Sequence, residues 1–154
     1  MVLEPITPAL AQRIIARDEH SDDRWHPEYP FVDELVPLRS LAASSKPDPD
    51  FTLYLIRRTS DQLAVGGFGF FGPPDEQGRV EFGYGLIPNA RGGGLATEAV
   101  TLGIDHARRS GAKLAAADTD VQNVASQRVL VKAGFTEVAR RDAQVFYERS
   151  LTTA

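Results

Sequence analysis

Cysteine is absent from the 154 residues. Its absence excludes disulfides, thiolate metal sites and any covalent acyl-cysteine intermediate. Histidine is scarce: His20, His26 and His106 are the only three, and their spacing suits no metal. No apolar run approaches the ~20 residues that cross a bilayer. The opening MVLEPITPALAQRIIARD lacks the basic start and long apolar centre of a signal peptide. No membrane partner and a cytoplasmic location are therefore expected. Positive charge is not in excess either, since the formal net charge is -4, which argues against a general nucleic-acid binder. What remains is ordinary globular composition, 42% hydrophobic and 25% charged, in a length that suits one domain over residues 1–154.

What the chain does have is glycine in clusters. GFGFFG (67–72) matches the dinucleotide pattern G-x-G-x-x-G, but Pro73 and Pro74 follow where a helix would have to open. Its glycines are read instead as thinning a strand so that another group can pass close. RGGGLA (91–96) has the opposite context, with a strand before it and a helix after it. Successive N–H groups at a helix N-terminus converge on an anion, and glycines let the backbone approach it unobstructed.

Hydrophobic periodicity supplies the rest. TPALAQRIIARD places Leu10, Ile14 and Ile15 on a helical stripe, and residues 20–30 read as a proline-bearing loop. FVDELVPLRSLAA sets Phe31, Leu35, Leu38 and Leu41 on one face, with Pro37 expected to kink or split the helix. Strands are expected at 51–58, 62–71 and 79–87, the last two forming a hairpin about GPPDEQG. A helix over 94–109, a strand at KLAAADT, a helix in NVASQRVLVKAGF capped by Asn123, and strands at FTEVARRD and QVFYERSL follow. The order implies a mixed α/β sheet. A Rossmann alternative would use Gly92 and Gly94 as its first glycines and Asp118 as ribose ligand, with Thr97 at the third small position.

RGGGLA has the form R/Q-x-x-G-x-G/A and resembles the acetyl-CoA pyrophosphate loop of the GNAT acetyltransferases. NVASQRVLVKAGF resembles the N-x-x-S-x-x-x-L-x-K-x-G-F segment of the ribosomal-protein N-terminal (Rim-type) branch, as does VEFGYGLIPNARGGGLATEAV. The resemblance spans about residues 50–140. It implies the GNAT fold, with a mostly antiparallel sheet flanked by helices and a strand–loop–helix site for acetyl-CoA as cosubstrate, and a first strand shortened or missing here. It places Leu86, Ile87, Arg91, Gly92, Gly93, Gly94, Leu95, Ala96, Thr97, Asn123 and Ser126 against acetyl-CoA. The backbone near Gly85 is implied as oxyanion donor and that near Ile87 as holder of the pantetheine arm.

Acyl transfer to an amine needs a proton acceptor, an oxyanion donor and help for the departing thiolate. Glu81 is the candidate base: it precedes the loop and by strand parity shares a face with Gly83, Gly85 and Ile87. A solvated strand glutamate is the competing reading. Many family members carry a tyrosine general acid five residues before the final Phe, where this chain has Leu130. Ser126 is implied as the thiolate's partner, with helix capping as its competing role. Trp25, His26, Tyr29 and Tyr84 are candidates for the acceptor pocket. The activity implied is N-acetyl transfer to an amine in a ternary complex; a non-catalytic acyl-CoA-binding module is the alternative. Protein N-termini, polyamines, amino acids and antibiotic amines all stay open as acceptors, as does a homodimer.

Overall fold

The hairpin expected about GPPDEQG is the centre of the architecture. The computed structural model describes residues 1–152. Along them run β1 (Val2–Pro5), α1 (Pro8–Ala16), α2 (Leu35–Ala42), β2 (Leu53–Arg57), β3 (Ala64–Phe70), β4 (Arg79–Leu86), α3 (Leu95–Arg109), β5 (Leu114–Asp120), α4 (Val124–Lys132), β6 (Thr136–Arg141) and β7 (Gln144–Ser150). The strands form one seven-stranded sheet in the order β1-β2-β3-β4-β5-β7-β6. Every neighbouring pair is antiparallel except β4 and β5. This is the mostly antiparallel mixed sheet flanked by helices that the resemblance implied. With one parallel pair and no second βαβ half, the topology rules out the Rossmann alternative.

The first strand is present, four residues long, pairing from Val2↔Arg57 to Pro5↔Tyr54. It was hard to read because four residues carry no period and the last is proline, tolerated only at a sheet margin. Pro37 does not kink a helix. Residues Val32–Glu34 form a 3₁₀ turn and α2 starts at Leu35, so Pro37 sits in the first turn, where no N–H is required. Arg57 fixes the loop over 20–30: its guanidinium, nearly buried, donates to Glu4 Oε1 at 2.7 Å and to the carbonyls of Asp23 (3.0 Å), Arg24 (3.2 Å) and Gln62 (2.5 Å).

The two faces of the β3–β4 hairpin differ sharply. One carries Phe68, Phe70 and Phe82, with ring centroids 5.2 Å (Phe68–Phe70) and 5.3 Å (Phe68–Phe82) apart under α3. Such pairs hold strands that glycine would otherwise weaken. The other face is bare: Gly67 stands opposite Gly85 and Gly69 opposite Gly83. The parallel pairing of β4 with β5 covers only Arg79↔Leu114, Val80↔Ala115 and Glu81↔Ala116, after which the strands diverge. Among the described residues no helix is long and apolar enough to cross a membrane.

Candidate active site

The splay between β4 and β5 opens a cleft of about 760 Å³ along the N-terminal ends of α3 and α4. Its lining includes Leu86, Arg91, Gly92, Gly94, Leu95, Ala96, Thr97, Asn123 and Ser126. Gly92 and Gly94 have φ of 85° and 82°, the left-handed region that glycine enters without strain, and Gly94 is the N-cap of α3. These turns leave the N–H groups of residues 92 to 97 without an acceptor among the described residues. Unpaired N–H groups at the positive end of a helix make an anion site. Gly93 belongs to the same turn with an ordinary φ. Arg128 and Lys132, one turn apart on α4, face the cleft as well. Neither was singled out in the sequence, although the two stand four residues apart on the helix that Asn123 opens, and a basic face beside an anion loop is a readable signal.

Arg91 does not point its guanidinium at the loop. Its Nε donates to Leu86 O at 3.1 Å and its Cζ lies 5.0 Å from the Phe31 ring centroid. It therefore pins the loop to the end of β4.

Hydrogen-bond phase decides which β4 amides face the splay. Ile87 N–H donates to Val65 O and Phe71 N–H to Glu81 O, both at 2.9 Å. Antiparallel ladders alternate, so Gly83 and Gly85 also pair toward β3, while Tyr84 and Leu86 turn their N–H groups toward β5. The N–H groups near Gly85 that face away from β3 are thus those of Tyr84 and Leu86, while the Gly85 N–H is used in the ladder. At Ile87 the N–H is taken by Val65 O, the carbonyl accepts from Ala90 N–H at 3.0 Å, and the side chain is fully buried.

Ser126 is not a cap. Asn123 caps α4, its Oδ1 accepting from Ser126 N–H at 3.1 Å. The Ser126 hydroxyl instead meets the Tyr84 hydroxyl at 2.7 Å. Tyr84 thus belongs to this cleft, and its phenol reaches α4 although the helix has Leu130, a core residue, at the family's tyrosine position. Burial pushes the Tyr84 phenol above its ordinary pKa, and the Ser126 hydrogen bond offsets part of that.

On the bare face of the hairpin lies a second cavity of about 260 Å³, floored by Gly67, Gly69, Gly83 and Gly85 and walled mainly by apolar side chains. Phe31, Asp33, Tyr84, Gly85, Leu86 and Arg91 border both cavities, so the two meet at Gly85–Leu86. Tyr29 lines this cavity from the loop over 20–30. Trp25 and His26 do not: Trp25 is core, bridged to Ala64, and His26 uses Nδ1 to accept from Glu28 N–H at 3.0 Å.

Glu81 lies outside both cavities. It sits where β4 still pairs with β5, half exposed, with its Oε1 2.6 Å from Arg79 Nη1. Parity gave its face correctly, but the open space begins only beyond it, at Gly85. The carboxylate inside the cavity is Glu34. Its two oxygens are shielded from solvent and have no hydrogen-bond partner among the described residues. Burial holds its carboxyl up at about 8, the neighbouring Asp33 adding to the rise and the backbone N–H groups of Phe31 and Gly67 offsetting part of it. Burial and the Glu34 charge push the Tyr29 phenol far up in turn. The sequence did carry a sign of Glu34: it falls on the stripe of Phe31, Leu35 and Leu38, a charge on an apolar face.

A family model described as an acetyltransferase (GNAT) domain matches residues 1–136. The chain belongs to the GNAT acetyltransferase family. Among curated proteins this GNAT chain is 29% identical over 116 residues to the uncharacterized N-acetyltransferase YjdG of Bacillus subtilis, covering 75% of its own length and 68% of the relative's. Among solved structures it superposes on a ribosomal-protein-alanine N-acetyltransferase from Brucella melitensis with a TM-score of 0.67 at 20% identity, covering 97% and 99% of the two chains. It matches YncA, a putative acetyltransferase from Salmonella typhimurium with acetyl-CoA, with a TM-score of 0.63 at 20% identity, covering 99% and 95%. At those identities the structures speak for the fold alone. Among the described residues no group of acidic or histidine side chains could hold a metal.

Proposed function

We propose that the chain is an N-acetyltransferase that moves the acetyl group of acetyl-CoA to a primary amine by direct attack in a ternary complex. The observation that carries this reading is the meeting of two unlike cavities at Gly85–Leu86, one rich in unpaired N–H groups and basic side chains, the other apolar with a buried carboxylate. The acetyl-CoA-bearing YncA structure shares this fold.

Residues 92 to 97 offer their N–H groups to the pyrophosphate, and Arg128 and Lys132 supply positive charge for the remaining phosphate. Leu86 or Tyr84 presents a backbone N–H where the thioester oxygen gains charge. The Tyr84–Ser126 hydroxyl pair stands where a leaving thiolate needs a proton. Without cysteine, no acyl-enzyme forms on sulfur, which supports direct attack. Release of CoA thiol from acetyl-CoA with a panel of primary amines, scored with mass spectrometry of the acetylated product, tests the reading. CoA binding with no turnover across amines, amino acids and peptide N-termini would assign a binding module instead.

A further inference from the structure

We propose, resting on the acetyltransferase reading, that Glu34 takes the proton of the acceptor, and that the acceptor is a primary amine carried on a small apolar body. The first support is the isolation of Glu34. Both carboxyl oxygens are out of solvent and neither has a partner among the described residues. Buried carboxylates are ordinarily paired, because an uncompensated one is costly. Apart from the nearby backbone N–H groups of Phe31 and Gly67, nothing among the described residues balances this one. It therefore rests protonated near neutrality, and its ionised form takes a cation from outside.

The second support is placement. Oε1 of Glu34 lies 2.9 Å from where a Cβ on Gly67 would stand, so the carboxyl rests directly on the bare backbone of Gly67 and a side chain there would push it aside. Gly67 is the ladder partner of Gly85, over which nothing lies within 4 Å of a Cβ position. The carboxyl therefore overlooks the open place at which the two cavities join.

The third support is the wall. Ile6, Phe31, Pro37, Leu38, Leu53 and Phe71 make the rest of the cavity a surface for hydrocarbon. Its size suits a body of on the order of ten non-hydrogen atoms, taking about 30 Å³ for a water-sized group. The ionisable neighbours sharing the cavity are Tyr29, Asp33, Tyr54, Tyr84 and Arg91. Of these only Asp33 adds a second carboxylate, and it is exposed. A polyamine with several cations has too few partners here.

The step balances simply. An ammonium entering beside the ionised form of Glu34 leaves water, and a dry site disfavours both charges, so the proton passes to the carboxylate and leaves a neutral amine. The nitrogen lone pair then forms the C–N bond. The electron pair of the C–S bond leaves with sulfur, which takes a proton from the Tyr84–Ser126 pair. Nitrogen sheds its second proton to solvent before the C–S bond breaks, the proton on Glu34 follows as product departs, and the hydroxyl pair regains its own.

The test uses phenethylamine, 2-phenylethanol and spermidine as probes. Calorimetry of the parent should show phenethylamine binding at least ~10-fold more tightly than the alcohol of the same shape, and Glu34→Gln should erase that difference. In turnover with acetyl-CoA, Glu34→Gln should lower kcat/KM for phenethylamine by ~10²–10⁴-fold with CoA affinity intact. A thermal melt checks that the variant is folded; Glu34→Leu serves as a second variant should the melt fail. A kcat/KM unchanged by Glu34→Gln from pH 6 to 10 overturns this step alone. A parent that prefers spermidine overturns the apolar acceptor. A parent that binds no CoA, read in a titration without amine, overturns acetyl transfer and the step together.

Discussion

The hydroxyls of Tyr84 and Ser126 lie 2.7 Å apart, one reaching from β4 and the other from the first turn of α4. Either can donate to the other, so the pair shares protons between two elements of the cleft. A hydrogen bond to a charged group is worth ~1.5–3 kcal/mol, about 10- to 150-fold in rate. Ser126→Ala and Tyr84→Phe are each expected to lower kcat by that factor with little change in CoA affinity. Because the groups act as one, the double variant should be no worse than the poorer single one. Additive losses in chemistry-limited turnover would separate them.

Gly92 and Gly94 hold positive φ with nothing near a Cβ position, so a side chain there meets backbone strain rather than a clash. Gly92→Val or Gly94→Val should cost about 1–3 kcal/mol of stability. A domain with ~5–15 kcal/mol to lose survives that. CoA binding should vanish, since the N–H groups no longer converge. Retained CoA affinity by calorimetry in a folded variant would remove the loop from the site.

Arg128 and Lys132 are expected to act on phosphate by charge. Arg128→Gln and Lys132→Gln should each weaken CoA binding and flatten its dependence on ionic strength. Parent and variants titrated at ~0.05 and ~0.5 M salt would show this, and equal slopes would leave the two residues without a role.

Burial holds the Glu34 carboxyl up at about 8, above an ordinary glutamate value of about 4.3. Between those values the folded chain keeps a proton that the unfolded chain has lost. Stability from this group is therefore full below the lower value and lost as pH rises through the upper one, by on the order of a few kcal/mol at most. Asp23 and Asp61, held low by Arg13 and Arg58, act the other way but only in more acid solution. Urea unfolding from pH 5 to 9 should show the parent losing stability relative to Glu34→Gln, with Glu34→Gln the more stable at pH 9. A constant difference would contradict the burial of the carboxyl.

Glu81, exposed and paired with Arg79, is expected to tolerate replacement. Glu81→Gln should leave kcat/KM within ~2-fold, because exposed ion pairs contribute little. A ~10²-fold loss would return the base to β4.

The parts of the site that depend on local backbone were legible in the sequence. RGGGLA sits between a strand and a helix, so its geometry follows from neighbours in the chain, and Asn123 caps the helix it precedes. Contacts across the fold were not legible. Tyr84 was read only as lining the acceptor pocket; it borders that cavity, but its hydroxyl contact with Ser126 on α4, 42 residues downstream, has no local signal. Glu81 was the carboxylate picked from the sequence, with Glu34 not considered, because strand parity locates a residue on a face without saying where along the strand the sheet opens. The outcome depended on the length of the β4–β5 pairing, which is a tertiary quantity. The resemblance led to the family, but the partner of Ser126 came from this chain's own packing.

Pairing between β4 and β5 stops at Glu81↔Ala116 while both strands run on. The sheet therefore has an unfinished seam in its middle, with the Tyr84 and Leu86 amides exposed along it. Isolated margins of this kind invite any chain that offers amides of its own. The pantetheine arm of CoA does, and can lie in the seam as a guest strand. Binding then completes the sheet as well as filling a hole. Slowed hydrogen exchange at Tyr84 and Leu86, with Gly83 and Gly85 already protected toward β3, is the mark such a guest leaves on the ladder.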